Sequence, residues 1–175
     1  DGWKEGTFAE LREQFEPFQL VLYRVLELGE VEIHPPVVQR SIQLGEHIGG
    51  GGRALFLDGA DLVIASGAGK RVLMAAADIP DTLGGRARYN IANSLAAAAA
   101  LLGAGFEDAD IVAGLASFVS DARSNPLRTN LFEVRGITVI VDYAHNPAAY
   151  ASLAETARAM NQGALVGVVT SLSSG

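Results

Sequence analysis

Apolar residues first recur at helical spacing, at Phe8, Leu11, Phe15, Phe18, Leu22, Val25 and Leu26. A period near 3.6 predicts an amphipathic helix. Thr7 and Glu10 have the spacing of a capping box, Pro17 predicts a kink or a break into two helices, and Gly29 marks the end. Pro35-Pro36 then interrupts the chain, and a short helix is expected from Val37 to about His47. Beyond the glycine run Gly49–Gly52 the pattern shortens. Arg53–Leu57, Asp61–Ala65 and Arg71–Met74 are strand-length runs separated by turn residues at Asp58-Gly59 and Gly67–Lys70, which predicts a small antiparallel meander.

The pattern returns to helical at Arg88–Leu102. Alanine is the strongest helix former, and five in a row, Ala96–Ala100, give a smooth surface for packing on a sheet; Gly103 and Gly105 end the helix. A second helix is expected from Asp108 to Phe118. Ser120–Leu127 has the polar, proline-containing composition of a linker, so a domain boundary is placed there. Two apolar runs, Leu131–Val134 and Ile137–Val141, flank Arg135-Gly136 and read as a hairpin with a buried second strand. A helix from Pro147 to about Met160 follows, and Ala164–Thr170 reads as a buried strand reached by a right-handed parallel crossover. The element order is that of an α/β protein whose last unit is cut short.

Composition narrows the function. The chain is 49% hydrophobic and 19% charged, which opposes global disorder, and its net charge of -7 opposes nucleic-acid binding. It has no cysteine, so thiolate chemistry, disulfides and cysteine-ligated zinc are excluded. His34, His47 and His145 lack metal-ligand spacing. Neither a signal peptide nor an apolar run long enough for a bilayer is present, so a cytoplasmic location without membrane contact is expected.

Candidate chemistry gathers in two places. Polar residues just beyond a strand's C-terminal end and ahead of a helix are where α/β proteins place ligands; here these are Asp142, Tyr143, Ala144, His145, Asn146 and Pro147. Asn90 and Asn93, three apart in the first turns of the alanine-rich helix, share a face. They read either as a cap (Asn90) with a surface residue (Asn93), or as paired amides for a purine edge or ribose. The glycine runs at 49–52 and 67–69 lack the ending and the strand-to-helix setting of a P-loop and read as turns.

Three segments carry a family resemblance: G-G-R-A-R-Y-N-I-A-N-S-L-A-A-A-A-A (84–100), R-T-N-L-F-E-V (128–134) and V-D-Y-A-H-N-P-A (141–148). Together they resemble the Mur ligase superfamily, and within it the cyanophycin synthetase family, over roughly residues 37–170. The resemblance implies a P-loop-type middle domain ending in residues 37–122 and a truncated Rossmann-like C-terminal domain in residues 123–175. Residues 1–36 have no clear match.

It also implies an ATP- and Mg2+-dependent amide ligase that phosphorylates a carboxylate and lets an amine attack the acyl phosphate. Its substrates would be aspartate, arginine and a peptide polymer primer. On matched positions, Asn90, Asn93, Arg128, Asp142 and Asn146 would bind nucleotide. His145 would act as a base or orient its loop.

The sequence departs from the family pattern in three ways. No P-loop is present, Leu127 replaces a hinge glycine, and Ser171–Gly175 replaces a charged Gly-Asp-Arg-Arg-like segment. The alternatives are a non-catalytic relic or interaction module, and another Mur-type ligase of the peptidoglycan or folyl-polyglutamate kind. Exposed apolar edges of a truncated unit would favour self-association.

Overall fold

The computed structural model describes residues 44–169. The amphipathic helix expected at 7–28, most of the helix expected at 37–47, and the terminal residues 170–175 lie outside them. Residues 44–49 are helical, two residues beyond the expected end at His47.

Three antiparallel strands follow, β1 (Ala54–Asp58), β2 (Asp61–Ser66) and β3 (Gly69–Ala75), in the order β1-β2-β3. Leu55 pairs with Ile64, and Leu62 with Met74. An irregularity between Leu62 and Val63 shifts the β2–β3 register. The central strand is buried from Leu62 to Ala65. Against this sheet pack α1 (Arg88–Gly103) and α2 (Asp108–Ser117). The buried side of α1 runs Asn90, Ile91, Ser94, Leu95, Ala98, Ala99, Leu102, a stripe of helical period. With Leu55, Leu62, Ile64, Met74, Ile79 and Ile111 it forms one core. Gly105 (φ +86) closes α1 in the left-handed conformation, and Phe106 N donates to Leu101 O at 3.1 Å.

The second unit contains β4 (Asn130–Val134), β5 (Ile137–Val141) and α3 (Pro147–Met160). Arg135 (φ +52) and Gly136 (φ +79) form the tight turn that two-residue hairpins favour.

Two expectations fail here. The second hairpin strand is not buried: Ile137 is 64% exposed, because β4 and β5 form a two-stranded ribbon with no further strand beside it among the described residues. The strand expected at 164–170 does not form over residues 164–169, and Val166 is 90% exposed. An apolar run becomes a strand only when another strand satisfies its backbone groups, and none pairs with it. No helix of the described residues is long and apolar enough to cross a membrane.

Candidate functional site

The two units meet through hydrogen bonds around the stretch Leu127–Asn130. The segment before it is ordered by its own polar side chains. Asp121 Oδ1 accepts from Arg123 N at 2.8 Å and from Ser124 N at 2.7 Å, and these donors lower the Asp121 pKa. Asn130 is buried, and its amide holds the next turn: Oδ1 accepts from Leu127 N (2.7 Å), and Nδ2 donates to Asn125 O (3.0 Å) and Arg128 O (3.2 Å).

Within this turn Leu127 (φ +60) and Thr129 (φ +52) are left-handed. For residues with a Cβ this costs about 1–2 kcal/mol each, and a β-branched residue there is an outlier. The Asn130 bonds and those from Asp142 hold the strained backbone in place. Leu127, in place of the family's hinge glycine, therefore takes the conformation a glycine would adopt most readily.

Asp142 faces this turn from the end of β5. Its Oδ2 accepts from Thr129 N at 2.8 Å and from Thr129 Oγ1 at 3.1 Å. Thr129 Oγ1 also lies 2.6 Å from the Tyr89 hydroxyl, which reaches it from the second position of α1. With Oγ1 donating to the carboxylate, Tyr89 donates to Oγ1, and a chain Tyr89–Thr129–Asp142 joins the units. Burial raises the Tyr89 pKa, against the lowering effect of its bonds to Thr129 and Thr156. Thr156, on α3, is itself buried.

Beside the chain, Tyr143 N donates to Leu127 O at 2.8 Å. The Arg128 guanidinium carbon lies 5.9 Å from the centre of the Tyr143 ring, within cation–π range, and the His145 ring lies 5.5 Å on its centroid-to-centroid distance from Tyr143. His145 Nδ1 is 3.1 Å from Tyr143 O. A carbonyl only accepts, so Nδ1 is the donor in this contact. This contact orients the loop.

The other expected residues fall into different roles. Asn90 does not cap α1. Ala87 occupies the cap position without a side-chain bond, while Asn90 sits in the first turn, buried, and donates through Nδ2 to Asp81 O at 2.7 Å. Burial also raises the Asp81 pKa. Asn93 is exposed, as one of the two readings required, and its Nδ2 lies 3.4 Å from Asn90 Oδ1. It stands four residues after Tyr89, on the same stripe of the helix. Asn146 caps α3, its Oδ1 accepting from Ala149 N at 2.8 Å, with Pro147 at the first helical position.

Arg128, Asp142 and His145 are thus gathered on one side of the hinge. Asn90 is committed to Asp81, and Asn146 to its own helix. None of the six lines the cleft of about 420 Å3 bounded by Pro80, Asp81, Ser120, Thr129, Asn130 and Phe132.

Thr129 and Tyr89 were not singled out from sequence, although both stand inside the segments that carry the resemblance. A hydroxyl next to the hinge arginine, and a phenol beside Asn90 in a polar first turn, were the available signals.

The remaining donor set is a guanidinium, an exposed amide, one unengaged carboxylate oxygen and an aromatic ring. Among the described residues no group of three or more His, Cys, Asp or Glu side chains is placed to hold a metal ion.

Residues 127–173 match the family model described as Mur ligase, glutamate ligase domain, a match that begins at the left-handed Leu127. The cyanophycin synthetase of Trichormus variabilis is 38% identical over 124 residues, 71% of this chain and 14% of that protein. That of Synechocystis sp. is 35% identical over 120 residues, 69% of this chain and 13% of that protein. The UDP-N-acetylmuramate--L-alanine ligase of Clavibacter sepedonicus is 38% identical over 82 residues, 46% of this chain and 17% of that protein. The chain spans about a seventh of the length of the cyanophycin synthetases it matches. With α/β units on both sides of the hinge and these relatives, the chain belongs to the Mur ligase superfamily.

Proposed function

We propose that this chain contributes one wall of the nucleotide site of an ATP-dependent amide ligase of the cyanophycin synthetase type. Residues 44–122 would be the end of the middle, ATP-binding domain, and residues 123–169 the start of the C-terminal domain. The observation that carries this reading is the hinge itself. Arg128 projects from a strained turn that Asp142 and Tyr89 hold from opposite units.

ATP would supply the phosphoryl group that activates a carboxylate for attack by an amine. Aspartate, arginine and a peptide polymer primer are the substrates this reading implies. Arg128 would neutralise phosphate oxygens, since a guanidinium is a planar cation that pairs with oxyanions through two N–H groups at once. Asn93 would offer its amide to the base. Asp142, with one oxygen on Thr129, has a second to offer a ribose hydroxyl. His145 holds the loop's shape. The 175 residues contain no P-loop, so the β- and γ-phosphates would be held loosely, and the chain by itself would not release ADP. Similarity to the muramate–alanine ligase supports a second reading, a different Mur-type ligase, over a shorter stretch.

Calorimetric titration of the 175-residue chain with ATP tests the site. Arg128→Ala and Asn93→Ala alter exposed side chains and leave the Asp142 bonds intact. Each is expected to weaken binding by about fivefold to tenfold, the worth of one hydrogen bond of ~1–1.4 kcal/mol. Equal affinity in all three proteins, or no heat at all, removes the assignment.

A further inference from the structure

A second groove, of about 470 Å3, lies between the start of α1 and the end of α3, lined by Arg86, Arg88, Ser152, Glu155, Thr156 and Arg158. Three guanidiniums and one carboxylate give these six residues a formal charge of +2, in a chain whose net charge is -7. None of the three arginines has an ion-pair partner among the described residues. Three exposed like charges drawn from two elements give the groove a local positive potential that attracts anions.

Two local features sharpen this. The positive end of α1, a 16-residue helix, has no side-chain cap and no acidic residue in its first turn, yet carries Arg88 at its first position. A cation there opposes the helix dipole, whereas an anion is favoured by it. Arg86 is also held in place. Its Nη1 donates to Leu83 O at 3.0 Å, folded over Gly84, where a Cβ would stand 2.9 Å from that nitrogen. Gly84 (φ +69) gives the backbone the conformation and the space this needs. The groove adjoins the junction through Thr156, which Tyr89 also contacts, but none of the residues assigned to nucleotide lines it, and Arg158 is twelve residues beyond Asn146, roughly 18 Å along α3 at 1.5 Å per residue.

We propose that this groove is a binding site for a compact polyanion, a small molecule carrying two or more phosphate or carboxylate groups, held by Arg86, Arg88 and Arg158. Guanidinium forks pair with either kind of oxyanion. The groove is formed by both units, so its occupant would also bridge them. This inference does not depend on the nucleotide reading.

The test titrates the 175-residue chain with inorganic tripolyphosphate and, separately, with citrate, at 0.15 M salt, by calorimetry and by thermal melting. At least one probe is expected to bind with one-to-one stoichiometry and raise the melting temperature. The stronger probe identifies phosphate or carboxylate as the source. Arg88→Ala/Arg158→Ala should weaken binding by at least about tenfold. Its melting temperature without ligand should be equal or higher, because a cation leaves the helix start. Arg88→Lys/Arg158→Lys, which keeps the charge, should retain part of the affinity, and Arg128→Ala all of it. The proposal is overturned if neither probe binds at millimolar concentration, if the double alanine variant binds as well as the parent, or if Arg128→Ala abolishes binding.

Discussion

The two halves of the molecule are built from similarly apolar sequence but are held together differently. In the first, β2 is buried over four consecutive residues, and a stripe of α1 seals it. In the second, the residues that are buried are Thr129, Asn130 and Thr156, all polar, while Leu131, Phe132, Val134, Ile137 and Val139 remain exposed. The first half is therefore stabilised by removing apolar surface from water, at roughly 25 cal/mol per Å2. The second is attached by a few hydrogen bonds whose value comes from being shielded. The same hydrophobic residue thus carries very different weight on either side of the hinge.

Truncation of a core residue should show the contrast most strongly. Leu62, at 0% exposure, packs in the cluster with Ile64, Leu95 and Leu102. Leu62→Ala should cost about 2–5 kcal/mol through lost transfer energy and the cavity left behind. Ile137→Ala in the ribbon should cost less than about 0.5 kcal/mol. Urea unfolding followed by circular dichroism measures both. Comparable losses would mean that the ribbon is covered by apolar surface in solution.

The hydrogen-bonded junction should come next. Thr129→Val keeps shape and β-branching but removes the hydroxyl between Tyr89 and Asp142. It should cost about 1–3 kcal/mol, since partly buried donors and acceptors lose their partner. Tyr89→Phe should cost about 1 kcal/mol, and the two losses should not add, because they delete one chain of contacts.

Tyr89 also gives an alkaline signature. Its folded pKa is raised by burial, so below the unfolded value of about 10 both states hold the proton and pH has no effect through this group. Above it the unfolded state loses the proton first, and stability falls as pH rises toward the folded value. Tyr89→Phe should flatten that decline. An unchanged slope would place the phenol in water.

Element type was legible in the sequence because it follows from local period and turn chemistry. The meander, both helices of the first unit, and the hairpin at Arg135-Gly136 needed nothing beyond alternation, alanine content and a turn dipeptide. Burial was not legible for β5 or for residues 164–169. It depends on what covers a face, and an apolar strand reads the same whether covered or bare. Position within a helix turn was the weak point for Asn90, which reads as a cap by residue type but lies inside the first turn and bonds to Asp81. At the candidate site, Asp142 and Arg128 were legible as chemistry. Their geometry was not, because it depends on left-handed Leu127 and Thr129, and neither residue type signals that conformation.

A smaller effect than at the junction belongs to the best-formed ion pair. Arg71 donates to both oxygens of Asp108, at 2.7 and 2.9 Å, tying β3 to the first turn of α2. These bonds lower the Asp108 pKa, with the nearby charges of Arg71 and Arg53 adding to the effect. A carboxylate whose folded pKa is depressed contributes stability above its unfolded value of about 3.9, and loses it as pH falls through the folded value. Both side chains are 40% or more exposed, so solvent screening limits the contribution to about 0.5–1 kcal/mol. Asp108→Asn should therefore be less stable than the parent by that amount at pH 6, and the gap should close as pH falls through the depressed folded value. The junction at Thr129 has distances in a similar range, 2.6 to 3.1 Å, yet it should matter more, because its groups are shielded where Asp108 is wet. If Asp108→Asn cost as much at pH 6 as Thr129→Val, shielding would not be what separates the two halves.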